Sequence, residues 1–298
     1  MNELNEQFVA AVMQSDAAEV RHCMTPGLSV NATNQGGWTA LHFACSCAEP
    51  DIVRLLIESG IEVDAKDSGG MTALHIAAVS GRPDMIRLLL AAGSLPDTRD
   101  QYGVTPLFLA AACGNMDTVR VILQAGARVD LTDDLGYTAL HWGASNRNSG
   151  IARLLLHAGV SLHAVESEGM TALHMAAIAR STETARLLLR AGIGADEQDI
   201  RGHTALHIAV RSRDMQTAAL LLAAGASIHI RDSQGDMPLS LAVAHGSTEM
   251  RELLLQADEQ SKDLNDSKDD PAPCFWQRAT RSLMVRGLAN RNARWRPT

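Results

Sequence analysis

The chain has 298 residues, of which 46% are hydrophobic and only 3% aromatic, so Leu and Ala must fill most of the interior. This composition suits thin layers of small helices better than one thick core. The formal net charge of −8 argues against a general role in nucleic-acid binding. Five scattered cysteines do not suggest a disulfide framework. The sequence shows neither a basic-then-apolar leader nor a run of about 18 apolar residues. We therefore expect a soluble protein of a reducing compartment, the cytoplasm or alternatively the nucleus.

A six-residue segment recurs along the chain at a constant interval of 33 residues. It begins with Gly, carries Thr two positions later and in most copies continues Ala-Leu-His. Its copies lie at 37–42, 70–75, 103–108, 136–141, 169–174 and 202–207, with a degenerate copy at 235–240. Self-similarity at such a period is the signature of stacked repeats.

Each unit contains two helical patterns, which are clear in the first copy. Apolar residues at intervals of three and four follow Thr39, a residue type that caps helix N-termini well. A second pattern begins near Asp51 and ends at Gly60, because glycine just past a helix is the usual C-cap. The polar stretch 63–70 predicts a turn or a short hairpin. One unit cannot bury its apolar face alone, so the units are expected to stack into an elongated solenoid.

This pattern resembles the ankyrin repeat, whose signature is a Thr-Pro-Leu-His box with a 33-residue period. The resemblance covers residues 34–257 in seven units, and a degenerate unit in 1–33 is predicted to be an N-terminal capping repeat. It implies an all-α fold, a helix-turn-helix solenoid with short β-hairpin turns between repeats. The sequence shows no nucleophile–base arrangement and no phosphate-binding loop, so we expect no enzymatic activity.

Histidine closes the motif in five units and invites a metal hypothesis. Packed helices lie roughly 8–10 Å apart, whereas zinc ligands lie about 2.1 Å from one ion, so neighbouring histidines are too far apart to share a metal. We expect neither a metal nor another cofactor. The resemblance implies instead that each imidazole ties its turn to the adjacent unit. The residues are His42, His75, His141, His174 and His207.

The turn between the two helices of a unit varies. If one of its positions requires a positive φ, an arginine there costs about 1 kcal/mol relative to glycine. Units with arginine would then be less stable, unless the side chain has a use of its own. Glycine occupies the position as Gly81, Gly114 and Gly246, and arginine as Arg147, Arg180 and Arg213.

Apolar and aromatic residues recur at the turn tips and on the exposed side of the first helix. In the ankyrin family these positions vary and contact partners, and contiguous exposed apolar residues usually mark an interface. This favours a monomeric scaffold or adaptor that binds a partner protein. The alternative is that some tips fold inward and cover their own neighbours. The candidate partner-binding residues are Trp38, Met71, Tyr102, Val104, Leu135, Tyr137, Met170, Ile178, Ile200 and His203.

The chain changes character after the repeats. Residues 258–273 are predicted to be a flexible linker, and 274–298 a basic tail with six arginines and no acid. A basic amphipathic helix can bind a membrane surface, a calmodulin-like receptor or an acidic groove, whereas a disordered tail or a helix docked on the last unit are the alternatives. The second functional hypothesis is therefore a regulatory or targeting subunit, in which membrane contact is confined to this tail.

Overall fold

The computed structural model describes residues 3–25, 27–245 and 247–266, with side chains as far as residue 260. Within these ranges the chain forms helices and turns and no β-strand. The helices are α1 Glu3–Met13, α2 Ala17–Cys23, α3 Ala40–Cys47, α4 Pro50–Glu58, α5 Ala73–Val79, α6 Pro83–Ala91, α7 Pro106–Ala112, α8 Met116–Gln124, α9 Ala139–Ser145, α10 Ser149–His157, α11 Ala172–Ile178, α12 Thr182–Ala191, α13 Ala205–Arg211, α14 Met215–Ala223, α15 Pro238–Ala244 and α16 Thr248–Asp266. The all-α solenoid expected from the sequence is confirmed.

We number the repeats from the turn that precedes each first helix. Repeats 1 to 6 are residues 34–66, 67–99, 100–132, 133–165, 166–198 and 199–231, and repeat 7 begins at residue 232. The five residues before the first helix's N-cap, such as 67–71 in repeat 2, are called the turn tip. Helices α1 and α2 precede repeat 1, and α1 packs on α3 as one first helix packs on the next.

The stack forms because helices of seven to ten residues are too short to be stable alone. Each first helix packs against the first helix of the next repeat, and each second helix against the next second helix. Leu74, Ile86 and Leu89 of repeat 2 are fully buried between these layers, and equivalent Leu and Ile residues repeat along the array. The core is therefore one continuous strip, as the 33-residue period predicts.

The turn tips are connected by backbone hydrogen bonds, although no strand forms in the described ranges. The amide of Ser68 donates to the carbonyl of Gly36 at 2.9 Å, and that of Gln101 donates to Gly69 at 2.9 Å. Within a tip, the amide of Asp67 donates to the carbonyl of Met71 at 2.8 Å. The tips therefore have hairpin geometry, but one bond between neighbouring tips is too little for a ladder. The short turns expected between repeats are thus present, without β-strands in the residues that the structure describes.

The last helix is longer than the sequence predicted. Helix α16 runs from Thr248 to Asp266, so residues 258–266, which we expected to begin a flexible linker, are helical. This segment is polar but contains neither Gly nor Pro to end a helix. The rest of the predicted linker and the basic tail, 274–298, lie outside the described residues, and the proposed division of the chain stays a prediction.

The arginine turns follow the prediction in two repeats and depart from it in a third. Arg180 and Arg213 each have a φ of +55°, in the left-handed region that disfavours side chains. Arg147 does not, because α9 ends in extended backbone at Asn146 (φ −90°, ψ 142°). The arginines also bond across repeats: Arg147 Nε donates to the carbonyl of Ala179 at 3.3 Å, and Arg213 Nη2 to that of His245 at 2.7 Å.

Candidate functional site

A carboxylate or amide at the start of each turn tip fixes its shape. Asp100 Oδ1 accepts hydrogen bonds from the amides of Tyr102 and Val104, both at 2.8 Å. Asp133 binds the amides of Leu135 and Tyr137 in the same way, at 3.0 and 2.9 Å. The backbone of the tip is thereby held without help from the side chains at its apex. The residues in this role are Asn34, Asp67, Asp100, Asp133, Glu166, Asp199 and Asp232. They recur three residues before the motif glycine, but the sequence pattern alone had not indicated this role.

The motif histidines connect each first helix to the next tip. In repeat 2, His75 Nδ1 accepts the amide proton of Thr72 at 3.1 Å. Its Nε2 therefore carries the ring proton and donates to the carbonyl of Val104, in the tip of repeat 3, at 3.2 Å. His42, His141, His174 and His207 make the same pair of bonds, with Nε2 reaching Met71, Met170, His203 and Asp236. The expectation that these imidazoles tie neighbouring units together is confirmed.

Burial keeps these five imidazoles neutral. Desolvation lowers the pKa of His42, His75, His141, His174 and His207, against a smaller opposing effect of the carbonyl and carboxylate groups around each ring. Because each ring uses one nitrogen as acceptor and the other as donor, protonation would break the bond to its threonine amide. The rings are thus structural parts that place the tips.

The structure separates the ten candidate partner-binding residues into two classes. The side chains of Tyr102, Leu135, Ile178 and Ile200 are exposed, with between 49% and 65% of their surface accessible. Trp38, Met71, Val104, Tyr137, Met170 and His203 are half-buried. The exposed apolar residues outside the ten candidates include Val79 and Val165. Val79 occupies in α5 the position that Ile178 occupies in α11, so that alignment of the repeats would have found it.

The half-buried aromatic residues cover their own first helices. Trp38 packs on Phe43 with ring centroids 5.1 Å apart, and its Nε1 donates to Asp67 Oδ2 of the next tip at 3.1 Å. Tyr137 packs on Trp142 at 5.4 Å, and burial together with Glu166 raises the pKa of its hydroxyl. The side chains of Trp38 and Tyr137 therefore fold inward, which is the alternative that the sequence left open for some tips. Trp142, which we predicted to be a packing residue, is half-buried against the core.

Repeats 5 and 6 enclose a shallow depression of about 200 Å³ on the tip side of the array. Three candidate residues, Met170, Ile178 and His203, line it. The remaining lining residues are Glu168, Asp199, Arg201, Ile208 and Arg211. An apolar floor with charged residues at its edge is the usual composition of a recognition pocket.

The imidazole of His203 lies between two carboxylates beside this depression. Its Nδ1 is 3.1 Å from Asp199 Oδ2 and its Nε2 is 3.7 Å from Asp232 Oδ2. Burial alone would raise the pKa of the Asp232 carboxyl, but the amides of Asp236 and Gln234 and the nearby imidazoles outweigh it and lower that pKa. The Asp199–His203–Asp232 contact thus joins the tips of repeats 6 and 7.

Comparison with known proteins decides the family. The model of ankyrin repeats matches residues 8–100, 92–166, 159–232 and 194–268. The chain belongs to the ankyrin repeat family. Ankyrin repeats form a protein–protein interaction domain, and the fold itself is not an enzymatic one.

Curated relatives resemble only a small part of the chain. The ankyrin repeat, SAM and basic leucine zipper domain-containing protein 1 of Colobus guereza is 36% identical over 59 residues, which cover 20% of this chain and 12% of that protein. Its counterparts in Nomascus leucogenys and Pongo abelii are 36% identical over 58 residues, with the same coverage. The chain thus matches about one eighth of the length of these relatives. Among the described helices, none combines the length and the apolar character needed to cross a bilayer.

Proposed function

We propose that this protein is a scaffold or adaptor that binds a partner protein through its turn tips and first helices, as a monomer and without catalysis. The observation that carries the proposal is the row of exposed apolar side chains at the tips of repeats 3, 4 and 6. Tyr102 is 65% exposed, Leu135 60% and Ile200 64%. None of the three side chains helps to hold its tip, because the carboxylate at the start of the tip binds the backbone instead.

The exposed row suits an interface for a physical reason. Covering an exposed apolar side chain with a partner contributes about 25 cal/mol of binding free energy for every Å² removed from water. Aromatic and branched residues on a rigid backbone also lose little conformational entropy on binding, so that they make effective anchors. The bonds between Ser167 and Leu135 and between Ile200 and Glu168 fix neighbouring tips at 2.8 and 2.9 Å. A partner therefore meets a preformed surface.

The test compares the wild-type chain with the variant Tyr102→Ser/Leu135→Ser/Ile200→Ser as baits for affinity capture, read by quantitative mass spectrometry. We expect proteins that bind the tips to be lost from the triple variant, with an affinity loss of about fivefold or more for each anchor. Leu95→Ser is the matched control, because Leu95 is equally exposed (62%) but lies in the loop after α6. Identical capture by all three baits would remove the tips as the interface.

The targeting hypothesis concerns the basic tail, which lies outside the described residues. It stays a second proposal that is tested by deletion of residues 267–298, a cut that keeps α16 whole. Unchanged localisation and an unchanged set of captured proteins would argue against it.

A further inference from the structure

We propose that the depression between repeats 5 and 6 receives one apolar side chain of the partner, followed two residues later by a carboxylate that binds Arg211. This proposal rests on the proposed function and names the chemistry of the partner segment. It combines an apolar floor, a charge without a counter-ion at the rim, and a fixed backbone on both sides.

The floor of the depression is apolar and holds its shape. Ile208 is 5% exposed and belongs to the core, whereas Ile178 at the C-terminal end of α11 is 49% exposed. Met170 also lines the depression, and the bond from its amide to Glu166 Oε1 at 2.9 Å positions its backbone. An apolar cavity of about 150 Å³ holds a benzene molecule, so the volume of about 200 Å³ accommodates one Leu, Met or Phe side chain.

The charges at the rim are satisfied except for one. Glu168 Oε2 lies 3.9 Å from Arg201 Nη2. The Asp199 carboxylate accepts the amides of Arg201 and His203 at 2.9 and 2.8 Å and contacts the His203 ring. The guanidinium of Arg211, at the C-terminal end of α13, has no hydrogen bond or ion pair with any described residue. The group that remains to be satisfied is a cationic donor, so the complementary occupant is an anion.

The order of the two groups follows from the lining. Ile178 and Arg211 occupy equivalent positions in consecutive first helices, 33 residues apart. First helices pack at roughly 8–10 Å, which an extended chain spans in two or three residues. A partner segment that buries an apolar side chain against Ile178 thus brings the side chain two or three residues later to Arg211, and in an extended chain the one two residues later points to the same side.

The basic tail of this chain is a poor candidate for the same place. From Pro271 to the last residue it has six arginines and no Asp or Glu, so it offers Arg211 only like charge. A partner with an apolar–acidic sequence is favoured by charge complementarity.

The experiment uses the full chain with ¹³C-labelled Met and Ile methyl groups, titrated with N-acetyl-Leu-Ala-Glu-amide and followed by NMR. We expect the methyl signals of Met170, Ile178 and Ile208 to shift together. N-acetyl-Leu-Ala-Lys-amide, with the opposite charge, and N-acetyl-Gly-Ala-Glu-amide, without the large apolar group, serve as control probes, and both should produce clearly smaller shifts.

Variants then test the arginine. Arg211→Gln should weaken binding of N-acetyl-Leu-Ala-Glu-amide about threefold, the size of one partly exposed ion pair. Arg87→Gln removes an equal charge from the outer helix α6 and should change nothing. The proposal is overturned if the three methyl signals do not move at tens of millimolar, if the lysine probe binds as well, or if Arg211→Gln has no effect. The proposed function is judged separately by the tip variants, since Tyr102 and Leu135 lie outside the depression.

Discussion

At the N-cap of α7, the buried hydroxyl of Thr105 has no hydrogen-bond partner because residue 108, three positions further along, is phenylalanine. The same position holds histidine in five other repeats, where Nδ1 lies 2.9 Å from the threonine hydroxyl. In those five repeats the histidine also donates to a carbonyl in the next tip. The equivalent carbonyl here is that of Tyr137, and the phenyl ring of Phe108 has no group that could donate to it. The contact between repeats 3 and 4 therefore lacks the side-chain bridge found at its neighbours.

This relationship predicts opposite effects for one substitution in two repeats. Thr105→Val replaces an unpartnered buried hydroxyl with a methyl group and should raise the free energy of unfolding, by about 1 kcal/mol. Thr138→Val breaks the bond to His141 and should lower it by a similar amount. Urea denaturation midpoints of the two variants check this. Equal losses in both would mean that the Thr105 hydroxyl is satisfied in solution.

The motif histidines predict acid sensitivity. Each has a pKa below that of the unfolded chain, so the unfolded state binds more protons at pH values below about 6.5. Their contribution is therefore complete above that pH and is lost as the pH falls through the folded pKa values. In this window each buried histidine reduces the free energy of unfolding by up to about 1.4 kcal/mol per pH unit.

The measurement is the urea midpoint between pH 7.5 and 5. His141→Gln removes one of the five buried histidines, so the free energy of unfolding should depend less steeply on pH. His163→Gln, at an exposed site, should leave the slope unchanged. A midpoint independent of pH across this range would contradict the assignment.

The arginine turns predict a stabilising substitution. Arg180→Gly relieves a side chain held at φ +55° and should raise the free energy of unfolding by about 1 kcal/mol. Arg147→Gly should lower it instead, because Arg147 lacks the positive φ and donates to the carbonyl of Ala179. Thermal melts of both variants decide the point, and a gain in Arg147→Gly would show that its turn is strained as well.

Two glycines with the same φ of +80° separate strain from contact. A Cβ on Gly60 would meet nothing within 4 Å, whereas a Cβ on Gly70 would lie 2.8 Å from the amide nitrogen of Gln101. Gly60→Ala should therefore cost about 1 kcal/mol from backbone strain alone, and Gly70→Ala clearly more, since two tips must separate. Equal urea midpoints would contradict the close approach of the tips.

The fold was predictable because the motif, the helix caps and the apolar spacing all recur with the same period of 33 residues. Threonine N-caps and helix-ending glycines follow from it, and the resemblance to the ankyrin repeat implied the histidine bridge. The end of α16 was not predictable, because residues 258–266 contain neither a helix-ending Gly or Pro nor a regular spacing of apolar residues. Arg147 escaped prediction because Asn146 bonds to the carbonyl of Ala112 in the preceding repeat at 3.0 Å, a contact that position in the repeat does not reveal.

The candidate site was predictable in part. Exposure of Tyr102, Leu135, Ile178 and Ile200 agrees with the alignment of the repeats. The inward turn of Tyr137 depends on Trp142 five residues later, which gives it a ring to pack on. Such choices of rotamer depend on a particular neighbour, so they vary between repeats that share one spacing.

Because the carboxylates at the start of the tips bind the backbone, the side chains at the apex do not contribute to folding of the turn. Asp133 holds the backbone through the amide of Leu135, and any residue except proline offers that amide. Selection for stability and selection for a new binding specificity therefore act on different atoms of the same turn. Such an array can acquire a different specificity one repeat at a time while its melting behaviour stays the same.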